Sequence, residues 1–232
     1  MLKHKKSSHE TLIFLSKDLH AMMTLLNIFY MDFSLFTIAL AAIITLFSIV
    51  LHEVAHGAVA YYFKDRTAYA SGRLTLNPFP HIDIIGSIFV PLGAFLLAST
   101  LFGWAKPVPV NPKNLIGKYA DFWVSAAGVL ANLFLFIVAF TLSYFLAKNG
   151  LLTEASGKVL HMFLVVNLSL ALFNLIPVPP FDGMAILQSL FPKLRTESTF
   201  FYNPFFIIAS IIVASFIYGL ISPHVFRFVL GG

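Results

Sequence analysis

The chain contains no cysteine. That excludes a disulfide framework and any thiolate metal site, so a bound metal would fall to His, Asp or Glu. Charge is scarce too. Only 11% of residues are Asp, Glu, Lys or Arg, against about a quarter in a soluble domain. The net charge of +5 is spread over loops and the N-terminus, with no basic stripe interleaved with aromatics, which argues against a nucleic-acid partner. No internal repeat or low-complexity tract is visible. The polar interruptions, the longest at Lys64–His81 and Gly103–Tyr119, are too short for an accessory soluble domain.

Apolar sequence is abundant instead. Hydrophobic residues make up 59%, and 26 of them are phenylalanine. Mean hydropathy is +0.87. A helix needs about 20 apolar residues to span a bilayer. Phe33–Phe63, Phe122–Ala147, Val159–Ile176 and Phe200–Ile221 qualify. Ile82–Phe102 is apolar enough but carries Pro91 and Gly93 near its middle. Leu12–Tyr30 contains Lys17, Asp18 and His20, and reads as a weak span, a signal-anchor without a small-residue cleavage site, or a surface helix. The expectation is an all-α polytopic membrane protein with about five or six transmembrane or re-entrant helical segments. Short membrane-edge β-strands are expected at Thr67–Leu76 and Lys106–Val110. The chain divides into an N-terminal segment (1–31), a membrane core (32–192) and a C-terminal transmembrane helix (193–232).

Loop charges orient these spans. Lys64, Arg66 and Arg73, then Lys106, Lys113 and Lys118, then Lys193 and Arg195 mark three loops as cytoplasmic, leaving Lys148–Lys158 outside. Parity then forbids a single crossing by Ile82–Phe102, which must dip in and return, turning near Pro91-Leu92-Gly93. Irregular backbone at that depth is tolerated where it is buried in protein or lines a cavity. The implied location is the cell membrane.

Within the first strong span lies His52-Glu53-Val54-Ala55-His56. On a helix this H-E-x-x-H pattern puts two imidazoles one turn apart on one face, where both can reach one Zn²⁺. Glu53 lies close enough to take a proton from an attacking water. A catalytic zinc commonly has three protein ligands. Asp182 is the best third candidate. It follows the prolines of Asn174-Leu175-Ile176-Pro177-Val178-Pro179-Pro180-Phe181-Asp182-Gly183, and a carboxylate at the broken end of an apolar helix is costly unless paired or metal-bound. His81 and Asp83 read as a solvated interfacial pair or as a support for a ligand. Asn132 reads as helix glue or a partner for a ligand, and Gly128 as close helix packing.

The pairing of H-E-x-x-H in an early span with N-x-x-P-x-x-P-x-D-G in a later one resembles the site-2 protease family of intramembrane zinc metalloproteases. Ser125-Ala126-Ala127-Gly128-Val129-Leu130-Ala131-Asn132 is similar to its intervening small-residue helix. Asn77-Pro78-Phe79-Pro80-His81-Ile82-Asp83 and the stretch Gly103–Pro112 resemble a compact prokaryotic branch without a PDZ domain. The resemblance implies one Zn²⁺ per chain on His52, His56 and Asp182, with Glu53 as general base. It implies that Asn174 holds substrate or oxyanion, and that the substrate is a transmembrane segment of another protein in the lipid bilayer. Two other readings use the same residues. One is a zincin acting at the membrane face, for which Glu154 and Glu197 are the only downstream glutamates. The other is a metal transporter or sensor without peptidase activity, which has no need of Glu53.

Overall fold

Lipid offers a backbone amide no partner, so an apolar run longer than about 20 residues satisfies its own polar groups as a helix. The computed structural model describes residues 35–89, 104–195 and 203–230. Four of its helices are long and apolar enough to cross a membrane: α1 (Leu35–Tyr62), α3 (Ala120–Lys148), α4 (Glu154–Asn174) and α6 (Pro204–Leu230). Between them lie the single turn α2 (Thr67–Ala70) and the nine-residue α5 (Asp182–Leu190). Even α4, with 21 residues, is roughly 30 Å long, the thickness of the hydrocarbon core. The protein is therefore a multi-pass membrane protein. Its chain falls into two compact units, Met1–Ala42 and Ile43–Gly232. The described part of the first is the opening of α1.

The second unit is packed for lipid rather than water. Ser48, Asn132, Asn167 and Ala171 are fully buried, and Ala126 and Ala127 nearly so, whereas Phe134, Ile137, Phe216 and Phe228 point outward. Small residues let the backbones approach, and buried amides bond between helices. α3 packs on α4 and α5, and α4 meets α6. Tyr218 on α6 donates its hydroxyl to Ser169 Oγ on α4 (2.8 Å) and sets its ring edge-on to Phe173.

α4 starts at Glu154, earlier than its hydropathy suggests, because Thr153 and Ser156 form a reciprocal capping box. It stops at Asn174 because Pro177 has no N–H with which to continue. α6 runs past the expected Ile221 to Leu230, with Pro223 accommodated inside the helix.

No β-strand occurs among the described residues, which corrects the expectation at both edge segments. Thr67–Ala70 is a helical turn because Asp65 draws it into one, accepting from Thr67 N (3.1 Å) and from the Thr67 hydroxyl. Gly72 then reverses the chain at φ +65°. Residues 106–110 are extended but unpaired. Pro107 and Pro109 cannot donate to a ladder.

The three basic loops meet at one end of the bundle. Ile116 N donates to Phe63 O (2.9 Å), Arg73 Nη2 to Lys106 O (2.7 Å), and Arg195 pairs with Asp121. The turn joining α3 to α4 lies at the other end of α3. Both flanks of Ile82–Phe102 belong to the basic end. Trp104 N donates to Gly86 O (3.0 Å) and Lys106 N to His81 O (2.8 Å). The expected reversal near Pro91–Gly93 and the segment Leu12–Tyr30 fall outside the described residues.

Candidate metal centre

α1 delivers two imidazoles by its own period. His52 and His56, four residues apart, present their Nε2 atoms 3.2 Å from each other. Asp182 arrives from a different part of the chain. The break after Asn174 turns through Val178 and Phe181 and restarts as α5, whose first residue is Asp182. Gly183 makes that turn possible. A Cβ there would lie 2.2 Å from Leu175 O and 2.7 Å from Ile176 O. Asp182 Oδ2 thereby comes to 3.3 Å from each Nε2.

The chemistry of these atoms suits a cation. His56 Nδ1 lies 2.6 Å from the backbone oxygen of Val124, an atom that can only accept. Nδ1 therefore carries a proton, and in the neutral ring Nε2 keeps its lone pair. His52 Nδ1 donates likewise to Asn132 Oδ1 (2.7 Å). Nothing then donates to Asp182 Oδ2, which is buried without a hydrogen bond. With both rings neutral, three lone-pair donors converge. Ligands bound about 2.0–2.1 Å from a tetrahedral ion stand roughly 3.3–3.4 Å apart. The separations of 3.2, 3.3 and 3.3 Å match that spacing. His52, His56 and Asp182 could thus hold one Zn²⁺.

Gly128 keeps the space open. A Cβ on it would lie 2.3 Å from His56 Nε2 and 2.5 Å from His52 Nε2. Its role extends beyond helix packing: it faces the two imidazoles, which a methyl group there would displace.

Glu53 is held beside this centre by an extended strap, residues 104–111. Val108 N donates to Glu53 Oε2 (2.7 Å). With prolines on either side, Val108 carries the one N–H of residues 107–109. The strap is pinned at both ends. Arg73 and His81 grip Lys106, and Asp65 accepts from Asn111 N (2.7 Å) and Asn114 Nδ2 (3.0 Å). Burial pushes the Asp65 carboxyl up. The donors Thr67, Asn111 and Asn114 outweigh that and hold it below the usual carboxylate range. Gly57 gives the strap its clearance, since a Cβ would meet Val108 Cγ1 at 3.0 Å.

The other singled-out residues sort differently. Asn174 donates to Leu170 O (3.0 Å), one turn back on its own helix. His81 and Asp83 are not a solvated pair. His81 is fully buried with Nε2 on Thr75 O (2.9 Å), and Asp83 caps the turn at Ile85–Phe89 by accepting from Gly86 N (2.7 Å). Sequence reasoning missed Val108, whose contribution is a backbone group and leaves only the flanking prolines as a signal. It also missed Asn167, an amide inside an apolar span, where such groups are costly.

Comparison with known proteins agrees with this geometry. Residues 146–217, which include Asp182, match the profile of peptidase family M50. The chain is 38% identical to "Putative zinc metalloprotease YwhC" of Bacillus subtilis over 159 residues, 66% of this chain and 69% of that protein. The chain belongs to peptidase family M50. It is also 28% identical over 153 residues to "Putative zinc metalloprotease Rip2" of Mycolicibacterium smegmatis, covering 66% of this chain and 56% of that one. No solved structure matches significantly. As an M50 member with four apolar spans, the protein is a membrane-embedded metalloprotease, and zinc is the metal this membership implies.

Proposed function

We propose that this M50 protease is an endopeptidase that cuts transmembrane segments of other membrane proteins, using Zn²⁺ held by His52, His56 and Asp182. One observation carries the reading: two bare Nε2 atoms and an unpartnered Oδ2 converge at tetrahedral-ligand spacing beside Glu53. When bound, zinc acts as a Lewis acid toward water and the scissile carbonyl. Glu53, steadied through Oε2 by Val108, takes the proton of the attacking water on its other oxygen and returns it to the leaving amine. Asn174 has an amide N–H beyond the one used on Leu170, and this is available to hold the substrate or its developing oxyanion.

The positive-inside rule places the basic end of the bundle, and with it the centre, toward the cytoplasm of a cell membrane. Charge parity puts both flanks of Ile82–Phe102 on that same side, a reading supported by the hydrogen bonds that join His81 and Gly86 to Lys106 and Trp104. A helical substrate must unwind before it can be cut. The strap is poorly suited to hold it by strand addition, because Lys106 and Val108 already donate and Pro107 and Pro109 cannot. The zincin alternative lacks a ligand among the described residues: Glu154 is exposed and paired with Lys158 (2.8 Å) at the start of α4. Cleavage of a synthetic transmembrane peptide by purified protein tests the proposal, with Glu53→Gln as control. Zinc-loaded protein that cuts no such peptide, or a Glu53→Gln variant that still turns over, would favour transport or sensing.

A further inference from the structure

We propose that Asn167, acting through Asn132, decides which nitrogen of His52 is left bare for the metal. The inference rests on His52 being a metal ligand. Asn132 on α3 and Asn167 on α4 are both fully buried. A primary amide can turn over with little change of shape, exchanging its acceptor end for its donor end. The end Asn132 shows to His52 therefore sets the tautomer. Its oxygen requires a proton on Nδ1 and leaves Nε2 bare. Its NH₂ group would take a proton-free Nδ1 and move the proton to Nε2, the atom 3.3 Å from Asp182 Oδ2. A proton there would close the centre to a cation.

Asn132 cannot choose between these states alone. Its Nδ2 donates to Asn167 Oδ1 (3.1 Å), so its oxygen faces His52. Asn167 could turn over as well, but its own Nδ2 donates to Phe163 O (3.0 Å), a backbone carbonyl that can only accept. The series His52, Asn132, Asn167, Phe163 thus runs in one direction, fixed by a terminus that cannot reverse. His56 reaches the same condition in one step, through Val124 O. Both imidazoles are referred to a backbone carbonyl, one directly and the other through two amides on two helices. Asn132 and Asn167 are positioning residues in this scheme.

The test compares variants at position 167 in the full chain in detergent. Zinc affinity is measured by chelator competition. The His52 tautomer is read in metal-free protein by ¹⁵N NMR of labelled histidine, assigned against His52→Gln. Asn167→Leu fills the space but frees the Asn132 amide. We expect a mixed tautomer and zinc affinity about 10- to 100-fold weaker. Asn167→Asp, neutral in this buried place, keeps an acceptor for Asn132 and a hydroxyl donor for Phe163 O, and should retain wild-type values. Wild-type tautomer and affinity in Asn167→Leu would overturn the proposal. So would Asn167→Asp falling as far as Asn167→Leu, because the residue would then serve packing alone. If Asn167→Leu does not fold, Asn167→Ser, whose hydroxyl is too short to reach Asn132, must show the same loss, and wild-type affinity there overturns the idea. Failure of the ligand assignment has a separate signature: wild-type protein would bind no zinc whatever its tautomer.

Discussion

Gly128→Ala offers a severe test of the metal centre, because one methyl group is asked to do two opposite things. In the middle of α3, alanine favours the helix over glycine by about 0.8–1.0 kcal/mol. The added Cβ would fall 2.3 Å from His56 Nε2 and 2.4 Å from His52 Cε1, whereas ordinary contact begins at 3.4 Å. The imidazoles or the helix must give by roughly 1 Å. Overpacking of that kind costs typically about 1–3 kcal/mol. The first term offsets part of the second, so the variant should fold with a net loss of no more than about 2 kcal/mol. Metal binding has no such compensation. Zinc needs its ligands about 2.0–2.2 Å away, and the methyl forces aside both imidazoles that supply them. We expect stoichiometric zinc to be lost from folded protein, and proteolysis with it. The assay pairs metal analysis of the purified variant with thermal unfolding in detergent. Gly219→Ala on α6, where a Cβ meets nothing within 4 Å, is the control and should keep its zinc. Wild-type zinc content in Gly128→Ala would refute the placement of Gly128 in the centre and return it to simple helix packing.

Asp182→Ala should lose stoichiometric zinc, while Glu53→Gln should keep it and lose about 10²–10⁴-fold in rate, measured on the same peptide substrate. Asp65→Asn should loosen the strap and cost on the order of 1–3 kcal/mol, since one of the two accepting oxygens becomes an NH₂ group facing a donor. Because the folded-state pKa of Asp65 lies below its ordinary 3.8, that stability difference should be constant from neutral pH down to about 4 and shrink as pH falls further. A difference that disappears above pH 5 would contradict this account. Gly57→Ala should displace Val108 from Glu53 and lower turnover with zinc retained, read as kcat against metal content. Lys64→Cys and Lys113→Cys, made without background in a cysteine-free chain, should label with an impermeant reagent from the same side. Labelling from opposite sides would rule out a returning Ile82–Phe102.

Much of this protein is set by local sequence. Long apolar runs must be helices in lipid, so α1, α3, α4 and α6 were legible from hydropathy alone, and Pro177 marked where α4 stops. The spacing of His52 and His56 made a shared metal readable, because a helix repeats nearly every four residues whatever surrounds it. Asp182 was legible from cost, as a carboxylate at an apolar break needs a partner. Even the side on which the basic loops gather followed from charge, since they must avoid the same hydrocarbon.

The rest was decided by contacts between residues far apart in the chain. Whether Thr67–Leu76 becomes a strand depends on where Asp65 sends its lone pairs, and these go to Thr67, Asn111 and Asn114. Gly128 looks like any packing glycine until α1 is laid against α3. Val108 has no side-chain chemistry to read, and its amide matters because Asp65 and Arg73 anchor the strap that carries it across Glu53. The direction of the amide series from His52 to Phe163 exists only once three helices meet. A sequence specifies which groups can donate and accept. Only the tertiary structure specifies which acceptor each donor finds, and at this centre that choice engages both Nδ1 atoms and turns the two Nε2 atoms and the carboxylate oxygen toward one another.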